Sequence, residues 1–306
     1  MLYWTCYQSR SSVLRDCHGP VRTGTNSFGE NEMSKLILKL GAAVLLVGGV
    51  SCAPVLAMHH ETGESQAEHH GEMDNHAAIY AEHHADDIAA AIAATDRVEA
   101  ETSRDATRRP AEVLAFSQIE PGSRVMDLGA GSGYMTRLLS SLVGAEGHVT
   151  AQNPQNWIDR FQAVEPNITA LAAARENVDA VVVEFDDLGV EPGSLDAVTM
   201  GLIYHDTANL PVDRSVMNAG IFTALRSGGL LLISDHHAEE GSGVDATDTH
   251  HRIDAALVME EVTAAGFVLE GSLESLRNSE DPHDISVFDP AIRGQTDRFV
   301  YLFRKP

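Results

Sequence analysis

Asp127, Gly129, Gly131 and Gly133 fall at alternate positions of the run 124–140, RVMDLGAGSGYMTRLLS. A carboxylate followed by three residues without Cβ suits binding better than reaction. Glycine takes positive φ freely and lets the backbone approach a ligand closely. Val125 and Met126 read as a short buried strand ending at Asp127 and Leu128, while Met135, Leu138 and Leu139 carry helical spacing. Strand, glycine turn and helix in that order form the first unit of a nucleotide-binding α/β sheet. The helix start offers its unpaired N–H groups to a polar or anionic group. By spacing alone the same glycines also fit a dinucleotide-binding dehydrogenase, or a tight turn with no ligand.

A second set of residues could react. Tyr204, His205 and Asp206 follow a predicted strand over 195–200, and Asp235, His236 and His237 follow another over 230–234. In open α/β sheets, ligands lie beyond the carboxyl ends of strands. A tyrosine there can orient a substrate, and a histidine can take its proton near neutral pH. The plainer reading is that Tyr204 and His205 only wall the pocket. His205, Asp235 and His236 can share that pocket. With His250 and His251 near, a metal site is conceivable, but a polar substrate pocket is the preferred reading and no metal is expected. The three cysteines, Cys6, Cys17 and Cys52, all precede the folded region, which excludes a thiolate mechanism in the domain.

Further elements must position these groups. The segment 147–152 reads as a second strand, followed by Asn153. Helix is expected over 156–175 with a break at Pro166. The apolar run 178–185 reads as a doubly buried parallel strand, with Asp186 just beyond it. Helices are expected over 212–225 and 251–265, and an alternating last strand over 297–304. Pro110 suits the first turn of a helix. Arg104, Asp105, Arg108 and Arg109 just before it form either a solvated helix start or a lid across the end of the first strand.

The chain has 306 residues, a formal net charge of -24 and a pI near 4.8. Nothing basic tracks a nucleic-acid backbone, so DNA and RNA are not expected partners. Residues 1–32 read as an over-extended start. Met33 then opens a secretory signal over 33–57, with Lys35 and Lys39 ahead of an apolar stretch at 40–50. That stretch is too short for a bilayer span, which needs ~20 residues. Cleavage is expected after Ala57; the competing reading places a lipid anchor on Cys52. Either way the expectation is an exported, periplasmic protein with no stable membrane span. Residues 58–101 read as a His-rich linker and short helix, with adventitious metal binding as the alternative for the histidines. Residues 102–306 form the main domain.

The acid-glycine spacing resembles motif I of class I S-adenosylmethionine-dependent methyltransferases. The segments AQNP, FDDL, YHD, HHRIDAALVMEEVTAAGF, LRN and FDPAIRGQTDRFVYLFRKP follow in one order. Together they look like a group of predicted exported bacterial methyltransferases. The resemblance implies a Rossmann-like α/β fold, with a seven-stranded sheet, helices on both faces and an antiparallel last strand. It implies S-adenosylmethionine across the carboxyl ends of the first strands. Asp127, Gly129, Gly131 and Gly133 would then support its methionine end, Asn153 would stand where an acid usually meets the ribose, and Asp186 would meet the adenine. Glu184 and Asp187 are neighbours able to take that last role. Asn153 departs from the family pattern, since an amide brings hydrogen bonds but no charge. Tyr204, His205 and Asp206 would face the transferring methyl, and Asp235 and His236 would share the pocket of His205 with a small-molecule acceptor. The alternative is an exported, non-catalytic protein that holds a nucleoside or a metal on the same fold.

Overall fold

The structure is a computed structural model that describes residues 76–306. The expected signal over 33–57, Cys52 and the histidines at 59, 60, 69 and 70 lie outside the described residues. Among the described residues no helix is long and apolar enough to cross a membrane.

The chain opens with α1 (76–83), α2 (Ala85–Ile92), α3 (Glu99–Thr102), α4 (Asp105–Arg108) and α5 (Pro110–Ser117). Alternation then begins: β1 (Arg124–Leu128), α6 (Tyr134–Val143), β2 (His148–Asn153), α7 (Gln155–Arg160), α8 (Val164–Ala174), β3 (Val178–Val182) and β4 (Leu195–Gly201). It continues with α9 (Tyr204–Thr207), α10 (Arg214–Ala224), β5 (Leu225–His236), α11 (Ala255–Ala264), β6 (Val268–Ser272) and β7 (Arg298–Arg304). The seven strands lie in the order β3-β2-β1-β4-β5-β7-β6. All pairs are parallel except those of β7, which runs antiparallel to both β5 and β6. The order reverses at β1, so the carboxyl ends of β1 and β4 flank the crevice where such sheets bind ligands.

Strand side chains alternate between two faces. Val125, Val149 and Ala197 enter one apolar layer with α2, α5, α6 and α8; Met126, Leu128, Val198 and Met200 enter the other with α10 and α11. Tyr80, Ile88 and Ala91 belong to the first layer, and the Tyr80 hydroxyl donates to the Ile119 carbonyl. Residues 76–101, read from sequence as linker and short helix, are thus partly core.

Three expectations change for physical reasons. The apolar run at 178–185 is no doubly buried strand. β3 is the sheet edge and stops at Val182, which is itself exposed. The helix break falls between Arg160 and Val164, before Pro166. That proline sits in the first turn of α8, where its missing N–H has no helical partner to lose. The helix expected from residue 251 starts at 255, because the Asp254 carboxylate caps it by accepting the Ala256 N–H at 2.9 Å.

Candidate active site

The turn after β1 carries its three glycines at φ 64°, 57° and 91°, all left-handed. It is pinned from β2. Gln152 Oε1 accepts the Gly129 N–H at 2.9 Å, and Asn153 Oδ1 accepts the Gly131 N–H at 2.8 Å. Asn153 Nδ2 also donates to the Gly131 carbonyl at 3.1 Å. Both groups of the Asn153 amide therefore bond the turn, and each keeps a second hydrogen-bonding position. Asp127 is buried. Its two oxygens accept the hydroxyls of Thr136 at 2.6 Å and Thr199 at 2.8 Å. Burial pushes its carboxyl up to about 6, against the pull of those hydroxyls. It is a brace beneath the turn. A Cβ added at Gly133 would meet Leu171 Cδ2 at 2.6 Å, whereas at Gly131 and Gly201 it would meet nothing within 4 Å. Gly133 thus serves packing, while Gly131 and Gly201 border open space.

The lid reading of the arginine segment fits this arrangement. Arg108, Asp127, Gly129, Gly201 and Arg298 line one cavity at the carboxyl end of β1. The Arg108 guanidinium lies 4.5 Å from the Tyr134 ring centroid, and that of Arg104 lies 5.1 Å from it. Asp105 ties the segment down by accepting the Tyr134 hydroxyl at 2.8 Å and two bonds from Arg97 at 2.6 and 2.7 Å. Arg298 is buried and donates to the Thr107 carbonyl at 2.7 Å. Among the described residues neither Arg108 nor Arg298 has a carboxylate within ion-pair distance. Burial and the nearby Arg104 charge push Arg108 down to about 10, and burial lowers Arg298. Sequence reasoning missed Arg298. Its one signal is a cation at the head of an otherwise apolar strand.

At the ends of β4 and β5 the structure joins His205 and Asp235. His205 Nδ1 lies 2.8 Å from Asp235 Oδ1, and the His205 backbone N–H donates to Asp235 Oδ2 at 2.8 Å. Burial works against the imidazolium, but the Asp235 charge and hydrogen bond, with Asp206 behind them, raise the pKa of His205 above the ordinary histidine value. His251 Nδ1 stands 3.3 Å from His205 Nε2, and Asp206 Oδ1 stands 3.4 Å from it. His236 is close, with its ring centroid 6.4 Å from that of His205, and its Nδ1 bonds Thr296 Oγ1 at 2.8 Å. Burial holds His236 well below the usual histidine range.

Tyr204 is not brought to this cluster. Its ring is fully buried on the α10–α11 side, where its hydroxyl donates to Glu261 Oε2 at 2.9 Å and accepts from Asn218 Nδ2 at 2.8 Å. The short helix α9 sets adjacent side chains about 100° apart, so His205 turns to Asp235 while Tyr204 turns to Glu261 and Asn218. Asp186 is half-buried in the turn beyond β3, next to Phe185, whose ring packs on Trp157. Its neighbour Glu184 accepts the Gln155 N–H at 3.2 Å.

Residues 77–190 match the family model described as Protein-L-isoaspartate(D-aspartate) O-methyltransferase, a match shorter than half of the chain. The chain is similar to the arsenite methyltransferase of Halobacterium salinarum, 32% identical over 126 residues, which covers 40% of this chain and 29% of that protein. It is similar to the arsenite methyltransferase of Mus musculus, 28% identical over 127 residues, covering 38% and 31%. The chain thus spans about three-tenths of the length of these curated relatives. A chain of the Haloferax volcanii complex between a methyltransferase activator and a methyltransferase aligns over 72% of this chain and 97% of its own length. Its TM-score is 0.50 and its identity 20%. The fold is the Rossmann-like fold of class I methyltransferases, with the last strand antiparallel to its neighbours.

Proposed function

We propose that the chain is an S-adenosylmethionine-dependent methyltransferase with a small-molecule acceptor. One observation carries the reading. Bare backbone at Gly201 borders the cavity that is also lined by two guanidiniums, Arg108 and Arg298, with no carboxylate partner among the described residues. A half-buried or buried cation without a counter-charge is costly unless an anion joins it. The methionine end of the cofactor supplies a carboxylate, so the residues present fit it.

When bound, the cofactor supplies a methyl group made electrophilic by its sulfonium. The chain's own work is placement. Arg108 and Arg298 would take the carboxylate, and α4 would close over it. Asp127 keeps the turn in shape through Thr136 and Thr199. Trp157 and Ile203, both against Gly129, offer an apolar wall for the nucleoside, with Asp186 as the acid nearest the adenine. Alignment of two reactants can supply ~7–11 kcal/mol of the barrier. A base is needed only when the acceptor carries a proton on its attacking atom, so the reading does not depend on one. We place the acceptor at the His205–Asp235 pair, beyond the carboxyl ends of β4 and β5.

Two relatives that act on arsenite by name support a small acceptor. Residues 76–306 contain no cysteine, so this domain offers no thiolate to a soft arsenic centre. We also propose export through residues 33–57; N-terminal sequencing of the mature protein checks it. For the enzyme reading the test is calorimetric titration of the full chain with S-adenosylmethionine and with S-adenosylhomocysteine. Micromolar binding of both is expected, and no binding of either overturns it.

A further inference from the structure

We propose that His205 Nε2, His251 Nδ1 and an Asp206 carboxylate oxygen hold a divalent first-row transition-metal ion at the acceptor end of the sheet. The placement of the acceptor there rests on the reading above; the metal site does not.

The spacing of the donors is the first argument. They stand 3.3 Å (His205–His251), 3.4 Å (His205–Asp206) and 3.9 Å (His251–Asp206) apart. A tetrahedral ion about 2.0–2.1 Å from each donor separates them by roughly 3.3–3.4 Å. Two of the three edges match, and a small turn of the half-exposed Asp206 shortens the third.

The second argument is what lies behind the donors. Asp235 is fully buried and takes the His205 Nδ1–H, which leaves the Nε2 lone pair aimed at the other two donors. A carboxylate behind a histidine in this way fixes ring and tautomer in metal sites. His251 is held in the left-handed region at φ 56°, a conformation rare for a side chain of its size and concentrated at functional sites. The neighbouring Arg252 keeps it there. That guanidinium is fully buried, pairs with both oxygens of Asp281 at 2.9 Å, and donates to the carbonyls of His237 and Ile285. Phe288 packs edge-on to the His251 ring at 4.9 Å.

The donor chemistry selects the ion. Two imidazoles and one carboxylate suit zinc, manganese, iron(II) or cobalt, and do not suit a thiolate-seeking ion. The side chains of Asp206 and His251 are 30% and 33% exposed, against 5% for His205. The site therefore opens on one side, and its remaining position is left for water or for an oxygen- or nitrogen-donor acceptor.

Cobalt(II) serves as the probe, because its visible absorption reports ligation by nitrogen and oxygen. The full chain carrying His18→Gln, His59→Gln, His60→Gln, His69→Gln, His70→Gln, His76→Gln, His83→Gln and His84→Gln keeps the N-terminal histidines from competing. One tight equivalent of cobalt is expected, displaced by zinc. His251→Gln and Asp206→Asn should each weaken it at least about 100-fold. Asp235→Asn, which alters the support of His205 and touches none of the three donors, should weaken it about 10- to 100-fold. Thermal unfolding of each variant checks that it is folded. No tight equivalent in the parent chain, or equal uptake by a folded His251→Gln chain, overturns the proposal; the two imidazoles would then share a proton only. Titration of metal-free protein with S-adenosylhomocysteine separates the two readings. Binding without metal uptake removes the metal site alone, and metal uptake without binding removes the cofactor reading alone.

Discussion

The Arg108 guanidinium lies 4.5 Å from the Tyr134 ring centroid, so the residue that opens α6 also carries the segment lying across the glycine turn. Among the described residues the Arg108 guanidinium meets an aromatic face and no hydrogen-bonded side-chain partner, so its five donors remain for an anion. Arg108→Ala should weaken S-adenosylhomocysteine about 10- to 150-fold, the loss of a charged hydrogen bond of roughly 1.5–3 kcal/mol. Arg108→Lys should recover only part, because a point charge does not replace the planar fork. Calorimetric titration reads both; unchanged affinity in Arg108→Ala would put the carboxylate elsewhere.

Asp127 gives a stability effect that depends on pH. Burial holds its folded carboxyl near 6, above the ordinary 3.8. The folded state therefore favours the proton. The stabilising contribution is whole below the unfolded value and is lost as pH rises through about 6. Asp127→Asn keeps the shape and removes the charge. It should be more stable than the parent by up to about 3 kcal/mol at pH 7–8, at roughly 1.4 kcal/mol per unit. The gap should shrink as pH falls below 6. Urea midpoints between pH 5 and pH 8 measure it, and a gap that does not change with pH would sink the account.

Gly131→Ala and Gly133→Ala should fail differently. Both force alanine into positive φ, at roughly 1–2 kcal/mol. At Gly131 the added methyl meets open space, so the further loss should fall on cofactor affinity. At Gly133 it runs into Leu171 and Ile168, so the further loss should fall on stability, at about 1–3 kcal/mol for overpacking. Thermal unfolding and ligand titration of the two variants separate these effects.

Tyr204→Phe tests the placement of that ring in the core. The change removes the hydroxyl between Glu261 and Asn218 and leaves the buried Asn218 Nδ2 without that partner, while Arg214 still donates to Glu261. It should cost about 1–3 kcal/mol in denaturant unfolding and leave cofactor affinity unchanged. Lost affinity with unchanged stability would return the hydroxyl to the ligand pocket.

The sequence by itself determined the sheet and the glycine turn at the carboxyl end of its first strand. Period-two apolar runs, helical stripes and the glycines after Asp127 are local signals, and each is dictated by backbone sterics or by burial over a few residues. Tertiary structure decided what the local signal could not carry. The run at 178–185 is apolar enough for a buried strand, yet pairing order made it the edge, because which strands flank a strand is a property of the whole sheet. Asn153 and Tyr204 sit at the expected positions, but Asn153 pins Gly131 and the Tyr204 hydroxyl bonds Glu261 and Asn218, partners fixed only by packing. Arg298 and Arg108 are 190 residues apart in sequence and share one cavity because β7 returns beside β5 and α4 crosses the end of β1. His205, Asp235 and His251 likewise meet only where two strand ends and a loop held by the buried Arg252–Asp281 pair converge. Spacing along the chain does not encode that convergence, since it follows from the sheet closing over its two apolar layers.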